Sequence, residues 1–244
     1  MELRHSAVTS LLWLDTAEST NAVVRDGNFR HGDAVATVNQ TAGRGRIGRQ
    51  WLEVPGRGLA ISLKLVQNEI ADTVPLTLVP LVAGAALVDV LDAVAPGAPI
   101  WMKWPNDVYL AEHKVAGVLT EMGESTGIVV GVGVNISHTA AELPLATATS
   151  LSIHGIQIDA LTLAERWLER FFILVNDTAT DARIEHIRGR LGLIGEKVTV
   201  EMPDNSVVFG TVTELADSGA LVVDDGNHLV TVFAGDVRTL RPRR

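Results

Sequence analysis

The 244-residue chain contains no cysteine. This absence excludes disulfide bonds, thiolate metal sites and thioester intermediates on the chain. The first ten residues, MELRHSAVTS, also lack the basic and apolar segments and the small-residue cleavage site of a secretory signal peptide. Together, these features predict a cytoplasmic protein.

Long apolar runs and an excess of basic residues are absent as well. The longest uncharged stretch, residues 73–88, is interrupted by Pro75 and Pro80, whereas a membrane-spanning helix needs about 20 apolar residues. Lys and Arg total 20 against 29 Asp and Glu, a net charge of −9. The sequence therefore predicts no membrane span and argues against a protein whose main work is to bind DNA. A bound anion would have to meet a local basic cluster.

The composition, 47% hydrophobic and 20% charged, is typical of one large or two unequal globular domains. Ser19 to Asn21 predict the start of a helix, and Thr162 with Glu165 predicts a capping box for another. From Gly195, apolar and polar residues alternate and turn signals recur, which predicts a small all-β barrel or meander. Further strands are predicted at 11–14, 34–38, 59–65, 100–104, 114–121 and 128–136, and further helices at 76–94 and 183–190. We expect an α+β domain over residues 1–192 and a β domain over 193–244.

Residues 43–49, with the sequence GRGRIGR, concentrate three arginines in an otherwise acidic protein. They match the GxGxxG pattern, but that fingerprint requires the glycines to open a helix. Here Pro55 and further glycines follow, then a strand, so a dinucleotide-binding Rossmann fold is excluded. Glycines allow close backbone approach, and guanidinium groups bind phosphate or carboxylate. We expect an anion-binding loop that is mobile in the free protein and orders on ligand binding; a solvated basic surface loop is the alternative.

A second cluster comprises residues 103–107 (KWPND) and 114–117 (KVAG). Lys114 begins an apolar strand, where an amine is costly unless it meets an anion, although a snorkelling lysine would give the same pattern. Asp107 could form only an Asx turn, and Ser19 could be only a helix N-cap. The histidines show no metal-ligand spacing and no HExxH motif is present, so no protein-bound metal is predicted.

Taken in order, STN (19–21), QTAGRGR (40–46) with Gly48, Arg49 and Trp51, KWPND (103–107), KVAG (114–117) and GVGVN (131–135) resemble biotin protein ligases, also called biotin-[acetyl-CoA-carboxylase] ligases. The resemblance covers essentially the whole chain. It implies a catalytic domain like those of class II aminoacyl-tRNA synthetases, followed by a C-terminal SH3-like β-barrel. It also implies two half-reactions, in which biotin and Mg-ATP form biotinyl-5′-AMP and the adenylate then biotinylates a lysine of a carrier domain.

The resemblance further assigns residues to roles. Those implied to bind biotin are Ser19, Thr20, Asn21, Gln40, Gly43, Arg44, Gly45, Lys114 and Gly117. Those implied to bind the nucleotide are Arg46, Arg49, Trp51, Lys103, Asn106 and Asn135. Lys114, Arg46, Arg49 and Asp107 form the implied catalytic set, with Lys114 between the biotin carboxyl and the α-phosphate. Asp107 would orient or deprotonate the incoming lysine.

The implied ligands are biotin, ATP and Mg²⁺, and the implied partner is the biotin carboxyl carrier domain of acetyl-CoA carboxylase or a related carboxylase. We expect a monomer or weak homodimer; the glycine-rich strand near Gly131 could be a dimer edge or internal. Because the STN motif begins at residue 19, a winged-helix repressor domain and DNA binding are not expected. Ile47 replaces a residue that is commonly basic, which leaves open how tightly the adenylate is held. A lipoate-protein ligase, whose RRxxGG run is absent here, and a non-catalytic biotin or adenylate sensor are the alternatives.

Overall fold

The computed structural model describes residues 10–70, 74–123 and 127–239. The N-terminal part contains β1 (Ser10–Trp13), α1 (Thr20–Asp26), β2 (Asp33–Thr37), β3 (Gly43–Arg44), β4 (Gln50–Trp51), β5 (Gly58–Val66), α2 (Val79–Val94), β6 (Ile100–Lys103), β7 (Asp107–Leu110), β8 (His113–Met122), β9 (Gly127–Asn135), α3 (Ala160–Phe172) and α4 (Thr180–Arg190). The C-terminal part contains β10 (Lys197–Glu201), β11 (Val207–Leu215), β12 (Leu221–Asp224), β13 (Leu229–Val232) and β14 (Asp236–Thr239). The predicted α+β class is confirmed.

The central sheet has seven strands in the order β1-β2-β5-β9-β8-β7-β6. β1 pairs with β2 in parallel, and the other neighbours are antiparallel. β9 therefore lies inside the sheet, between β5 and β8, which decides between the two positions left open for the strand containing Gly131. Nearly all of β9 is buried, as its run of β-branched residues predicts.

Helices α2 and α3 cover one face of this sheet and form the core with it. Val82 and Leu87 of α2 are fully buried, and the indole Nε1 of Trp167 in α3 donates to the carbonyl of Ala83 at 3.0 Å. Each such aliphatic side chain contributes roughly 1.5–3 kcal/mol on burial. The segment Leu76–Val94 is long and apolar enough by composition to span a membrane, but 67% of its apolar 18-residue window is buried inside the fold. Its apolar character is that of a core helix.

The predicted start of α3 was wrong. Asp159, not Thr162, is the N-cap, and its carboxylate accepts the backbone N–H of Thr162 at 2.8 Å. Thr162 thus lies in the first turn and supplies the donor that a capping side chain satisfies. The helical spacing of apolar residues continues beyond α3 through a π-helical turn, Ile173–Asp177, in which Leu174 is buried.

The C-terminal part is a five-stranded antiparallel sheet in the order β13-β12-β11-β10-β14. The edge strands β13 and β14 are consecutive in the chain. In a flat sheet, edges four strand spacings apart would be about 19 Å from each other. The short connection from Val232 to Asp236 reaches only about 14 Å, so the sheet curls. Within residues 193–239, however, β13 and β14 do not pair, so the predicted barrel is curled but not closed; residues 240–244 lie outside the described residues.

Side-chain hydrogen bonds fix this sheet against the central fold. The indole of Trp104 donates to the carbonyl of Gly219 at 2.9 Å, and the hydroxyl of Thr77 donates to the carbonyl of Ser218 at 2.6 Å. These bonds hold the β11–β12 turn beside α2. Strand β14 is thereby placed where Asp236 and Arg238 line a cavity of the central fold.

Candidate functional site

One cavity of about 440 Å³ lies on the α1 face of the central sheet. Side chains alternate along β5, so that Ala60 lines the cavity while Leu59 and Ile61 face the core. The predicted site residues that line the cavity are Ser19, Thr20, Asn21, Gln40, Arg44, Gly45, Arg46, Arg49, Trp51, Lys103, Asn106, Asp107, Lys114, Gly117 and Asn135. Only Gly43 of the predicted set lies outside it, where a Cβ would fall 2.6 Å from Nε2 of Gln40.

The arginine-rich segment is a hairpin and not the irregular loop expected. β3 pairs with β4, Gly43 opposite Trp51 and Arg44 opposite Gln50. At its tip Ile47 has φ 55° and is 74% exposed. A β-branched residue rarely adopts this left-handed conformation, so the tip carries backbone strain. The expected ordering of this hairpin on ligand binding stays a prediction.

Trp51 forms a wall of the cavity by lying directly on the backbone of β9. A Cβ on Gly133 would fall 2.5 Å from the indole ring, so only glycine permits this packing. The ammonium Nζ of Lys114 is 5.8 Å from the centre of the same ring, within the range of a cation–π contact. The glycines of the GVGVN motif therefore provide a flat surface for an aromatic side chain.

Two lysines and one carboxylate meet at the cavity floor. Nζ of Lys114 lies 2.6 Å from Oδ1 of Asp107, and Nζ of Lys103 lies 3.4 Å from the hydroxyl of Tyr109. Burial lowers the pKa of Lys103, an effect that Asp107 opposes. Burial, followed by the charge of Asp107, raises the pKa of Tyr109 to about 12. With two ammonium groups and one carboxylate, this cluster favours an anionic ligand.

Two contacts fix Arg46 and Arg49 of the hairpin. Nη1 of Arg46 donates to Oδ1 of Asn106 at 3.0 Å, while Nδ2 of Asn106 donates to the carbonyl of Val118 at 2.7 Å. Arg49 forms an ion pair with Asp236 of β14, which also lines the cavity. The sequence prediction assigned Asn106 to the nucleotide, but its amide already holds Arg46 in place.

The polar end of the cavity lies at the N-terminus of α1. Ser19 is the N-cap, and its hydroxyl accepts the backbone N–H of Ala22 at 3.4 Å. Oε1 of Gln40 accepts the backbone N–H of Thr20 at 2.8 Å. At the far end of β9, Nδ2 of Asn135 donates to the carbonyl of Thr149 at 2.9 Å.

Glu53, just after the hairpin, is a half-buried acid that the sequence motifs do not identify. Both of its carboxylate oxygens are buried. Burial raises the pKa of Glu53 to about 7, an effect that a hydrogen bond from the backbone of Gln40 opposes. His138 lies nearby, with its Nε2 accepting the backbone N–H of Val54 at 3.5 Å, and burial lowers the pKa of His138.

No group of three or more His, Asp or Glu side chains that could hold a metal ion occurs among residues 10–70, 74–123 and 127–239. The cations of the cavity are side-chain ammonium and guanidinium groups. They suit the phosphates of a nucleotide or a carboxylate.

Two family models match the chain. The model of the biotin/lipoate A/B protein ligase family matches residues 14–135, and the model of the biotin protein ligase C-terminal domain matches residues 193–238. The biotin--[acetyl-CoA-carboxylase] ligase of Mycobacterium tuberculosis is 34% identical over 235 residues, which cover 91% of this chain and 86% of the relative. The chain belongs to the biotin protein ligase family.

Other family members agree with this assignment in sequence and in fold. The bifunctional ligase/repressor BirA of Escherichia coli is 34% identical over 241 residues, covering 93% of this chain and 73% of BirA. The biotin protein ligase from Aquifex aeolicus, solved in complex with biotin and ATP, superposes with a TM-score of 0.82 at 28% identity, covering 95% of this chain and 99% of that one.

Several residues that line or support the cavity lie outside the sequence motifs from which the site was predicted. Tyr109, Asp236 and Arg238 line the cavity, and Ser62 and Glu121 contact the residues at the start of α1. Tyr109 follows KWPND closely and could have been included by extending that motif. Asp236 carries no such signal, because it lies 187 residues from its partner Arg49.

Proposed function

We propose that this protein activates biotin with Mg-ATP to biotinyl-5′-AMP and transfers the biotinyl group to a lysine of a biotin carboxyl carrier domain. The observation that carries the proposal is the convergence of Lys114, Arg46, Arg49 and Asp107 on a single cavity. The relatives named above as biotin ligases, and the Aquifex enzyme solved with biotin and ATP, support the choice of substrates.

In the first half-reaction, a carboxylate oxygen of biotin attacks the α-phosphorus of ATP. A new O–P bond forms, the bond to the β-phosphate oxygen breaks, and pyrophosphate leaves. Lys114 would bridge the biotin carboxylate and the α-phosphate, while Arg46 and Arg49 would hold the phosphates. Fixed cations at these positions stabilise the charge that develops on the phosphates. Mg²⁺ would enter as part of the ATP substrate and neutralise further phosphate charge.

In the second half-reaction, the amine of the acceptor lysine attacks the carbonyl carbon of the adenylate. The C–N bond of the amide forms, the C–O bond to phosphate breaks, and AMP leaves. Before ligand binds, Asp107 is paired with Lys114 at 2.6 Å. Once Lys114 turns to the adenylate phosphate, the carboxylate of Asp107 can orient the acceptor ammonium and take its proton.

The remaining assignments divide the cavity between the two substrates. We propose that Ser19, Thr20 and Gln40 recognise the biotin head group, with Arg44, Gly45 and Gly117 beside it. We propose that Trp51, Lys103 and Asn135 contact the nucleotide. Asn106 would act on the nucleotide through Arg46, and Gly43 would act by allowing the hairpin to pack against Gln40.

The domain boundary, the partner and the location are also proposals. We propose a catalytic domain over residues 1–192 and a C-terminal domain over residues 193–244, a division that the start of the second family model at residue 193 supports. The carrier domain is the expected protein partner, Mg²⁺ accompanies ATP, and the protein is expected to work in the cytoplasm as a monomer or weak homodimer that does not bind DNA.

A transfer experiment tests the complete reaction. The purified protein, biotin and Mg-ATP are incubated with a biotin carboxyl carrier domain and with the same domain carrying Arg at its target lysine. We expect one biotinyl group on the native carrier and none on the variant, measured by intact-mass spectrometry. An unmodified native carrier, or modification that occurs with lipoate in place of biotin, would contradict the proposal.

A further inference from the structure

A chain of hydrogen bonds runs behind the cavity from Glu121 to Thr20. Nδ2 of Asn21 donates to Oε2 of Glu121 at 2.7 Å, and Oδ1 of Asn21 lies 2.6 Å from the hydroxyl of Ser62. That hydroxyl lies 2.7 Å from Oγ1 of Thr20. Thr20, Asn21 and Ser62 are all buried, so water does not readily replace these partners.

The backbone of β9 fixes the position of Asn21, the central residue of this chain of hydrogen bonds. A Cβ on Gly131 would overlap Oδ1 of Asn21, so the amide can lie against β9 only because this residue is glycine. The second N–H of the amide points to the carbonyl of Leu119 at 3.3 Å. Both hydrogen atoms of the Asn21 amide are therefore used inside the protein, and none remains for a ligand.

Chemistry then sets the direction of each bond. A carboxylate only accepts hydrogen bonds, so the NH₂ group of Asn21 faces Glu121 and its carbonyl oxygen faces Ser62. Ser62 carries one hydroxyl proton, and the carbonyl oxygen of Asn21 can only accept it. The geometry of both short contacts makes Ser62 the donor, so its proton is shared in a three-centre hydrogen bond between Oδ1 of Asn21 and Oγ1 of Thr20.

The proton of Thr20 has its own acceptor. Oγ1 of Thr20 donates to Oε1 of Gln40 at 3.2 Å, an oxygen that also accepts the backbone N–H of Thr20. Because its proton is turned to Gln40 and one lone pair accepts from Ser62, Oγ1 of Thr20 presents only its remaining lone pair to the cavity.

We propose that Glu121 and Ser62 are positioning residues for biotin recognition, because they hold the hydroxyl of Thr20 as a hydrogen-bond acceptor for a ureido N–H of biotin. This inference rests on the proposed function. Neither residue lines the cavity itself, so both act through Asn21 and Thr20. We call the chain of hydrogen bonds from Glu121 to Thr20 the relay. Asn21, which the sequence predicted to bind biotin, is then a part of the relay and does not contact biotin directly.

Glu121→Gln tests the relay with almost no change in size. An amide can donate as well as accept, so it no longer fixes which way Asn21 points. We expect the Kd for biotin, measured by isothermal titration calorimetry without nucleotide, to rise by about tenfold or more, the effect of a mismatched buried hydrogen bond. The Kd for the α,β-methylene analogue of ATP should stay within about twofold, whereas a merely structural role would weaken both ligands together.

A second pair of variants tests the direction of the bonds. Asn21→Asp places two carboxylates in contact and should weaken biotin binding. In the variant that combines Asn21→Asp with Glu121→Gln, the new amide at position 121 donates to the new carboxylate at position 21. The other oxygen of that carboxylate still accepts from Ser62. We expect the double variant to recover biotin affinity to within about threefold of the native protein.

Thr120→Val is the matched control. Thr120 precedes Glu121 on β8, and within the described residues its buried hydroxyl has no partner. Its side chain points to the opposite face of the sheet, so biotin affinity should not change.

The outcomes separate this inference from the proposed function. If the native protein binds biotin but Glu121→Gln binds it equally well, or if the double variant recovers nothing, the relay is refuted and the proposed function stands. A native protein that does not bind biotin would refute both.

Discussion

The ammonium group of Lys114 lies 2.6 Å from the carboxylate of Asp107 at the floor of the cavity. The pair satisfies both charges before substrates bind, and each member has a different proposed partner afterwards. Lys114 would turn to the biotin carboxylate and the α-phosphate, and Asp107 would turn to the acceptor lysine. Because the partners differ, we expect substitution of Lys114 to slow mainly adenylation and substitution of Asp107 to slow mainly transfer.

Lys114→Ala should reduce biotin adenylation by about 100-fold or more, the usual effect of removing a fixed group that stabilises transition-state charge. The measurement is biotin-dependent formation of adenylate in a single turnover. Lys197→Ala, which removes an exposed lysine of β10, is the control and should leave the rate unchanged. Near-normal turnover by Lys114→Ala would remove its proposed role.

Asp107→Asn should mainly slow the transfer step. A positioned general base contributes about 100-fold or more, and an amide cannot take the proton of the acceptor lysine. The rate of transfer from preformed, purified biotinyl-5′-AMP to the carrier domain measures this step alone. An unchanged transfer rate, or an equal loss in adenylation, would contradict the assignment.

Asp236→Ala should loosen the arginine hairpin. Its ion pair with Arg49 is partly exposed, and such pairs contribute up to about 1 kcal/mol, which corresponds to about a fivefold change in the open population. Trypsin cleavage after the hairpin arginines should accelerate by about that factor in the free protein, and biotin with ATP should suppress it.

Asp225→Ala is the control for this proteolysis, because among the described residues the Asp225 carboxylate bonds only within its own turn, to Asn227 and His228. If Asp236→Ala and Asp225→Ala are cleaved at the native rate, the ion pair does not hold the hairpin. Equal cleavage of the native protein with and without ligands would contradict the ordering of the hairpin on binding.

Glu53→Gln should alter the pH dependence of stability. The pKa of Glu53 is raised to about 7 from the ordinary value of 4.5, so its contribution is fully present below pH 4.5 and is lost as the pH rises through about 7. The variant should therefore gain stability over the native protein as the pH rises from 5 to 8, by no more than about 3 kcal/mol.

Urea unfolding of both proteins across that pH range measures the gain. Comparing the variant with the native protein removes the shared contribution of His138, whose pKa burial lowers. A difference in unfolding free energy that stays constant with pH would show that Glu53 does not titrate in this range.

The sequence predicted which residues line the cavity better than it predicted how those residues are held in place. The residues of the arginine hairpin and Lys114 were identified because each occurs in a short motif whose side chains suit an anion. β7 was missed because four residues give little periodicity, and the cap of α3 was misplaced because Asp159 and Thr162 are both good capping residues. The contact between Asn21 and Glu121 spans 100 residues, and no local pattern in a single sequence reports a contact at that distance.

Exchange of labelled pyrophosphate into ATP is the most direct test of the central claim, because it reports adenylation without a carrier protein. Purified protein is supplied with Mg-ATP and with biotin, lipoate or neither. The account predicts rapid exchange with biotin alone and background exchange in the other two reactions. Exchange that depends on lipoate would identify a lipoate ligase, and no exchange with biotin would contradict the proposed activation of biotin by this protein.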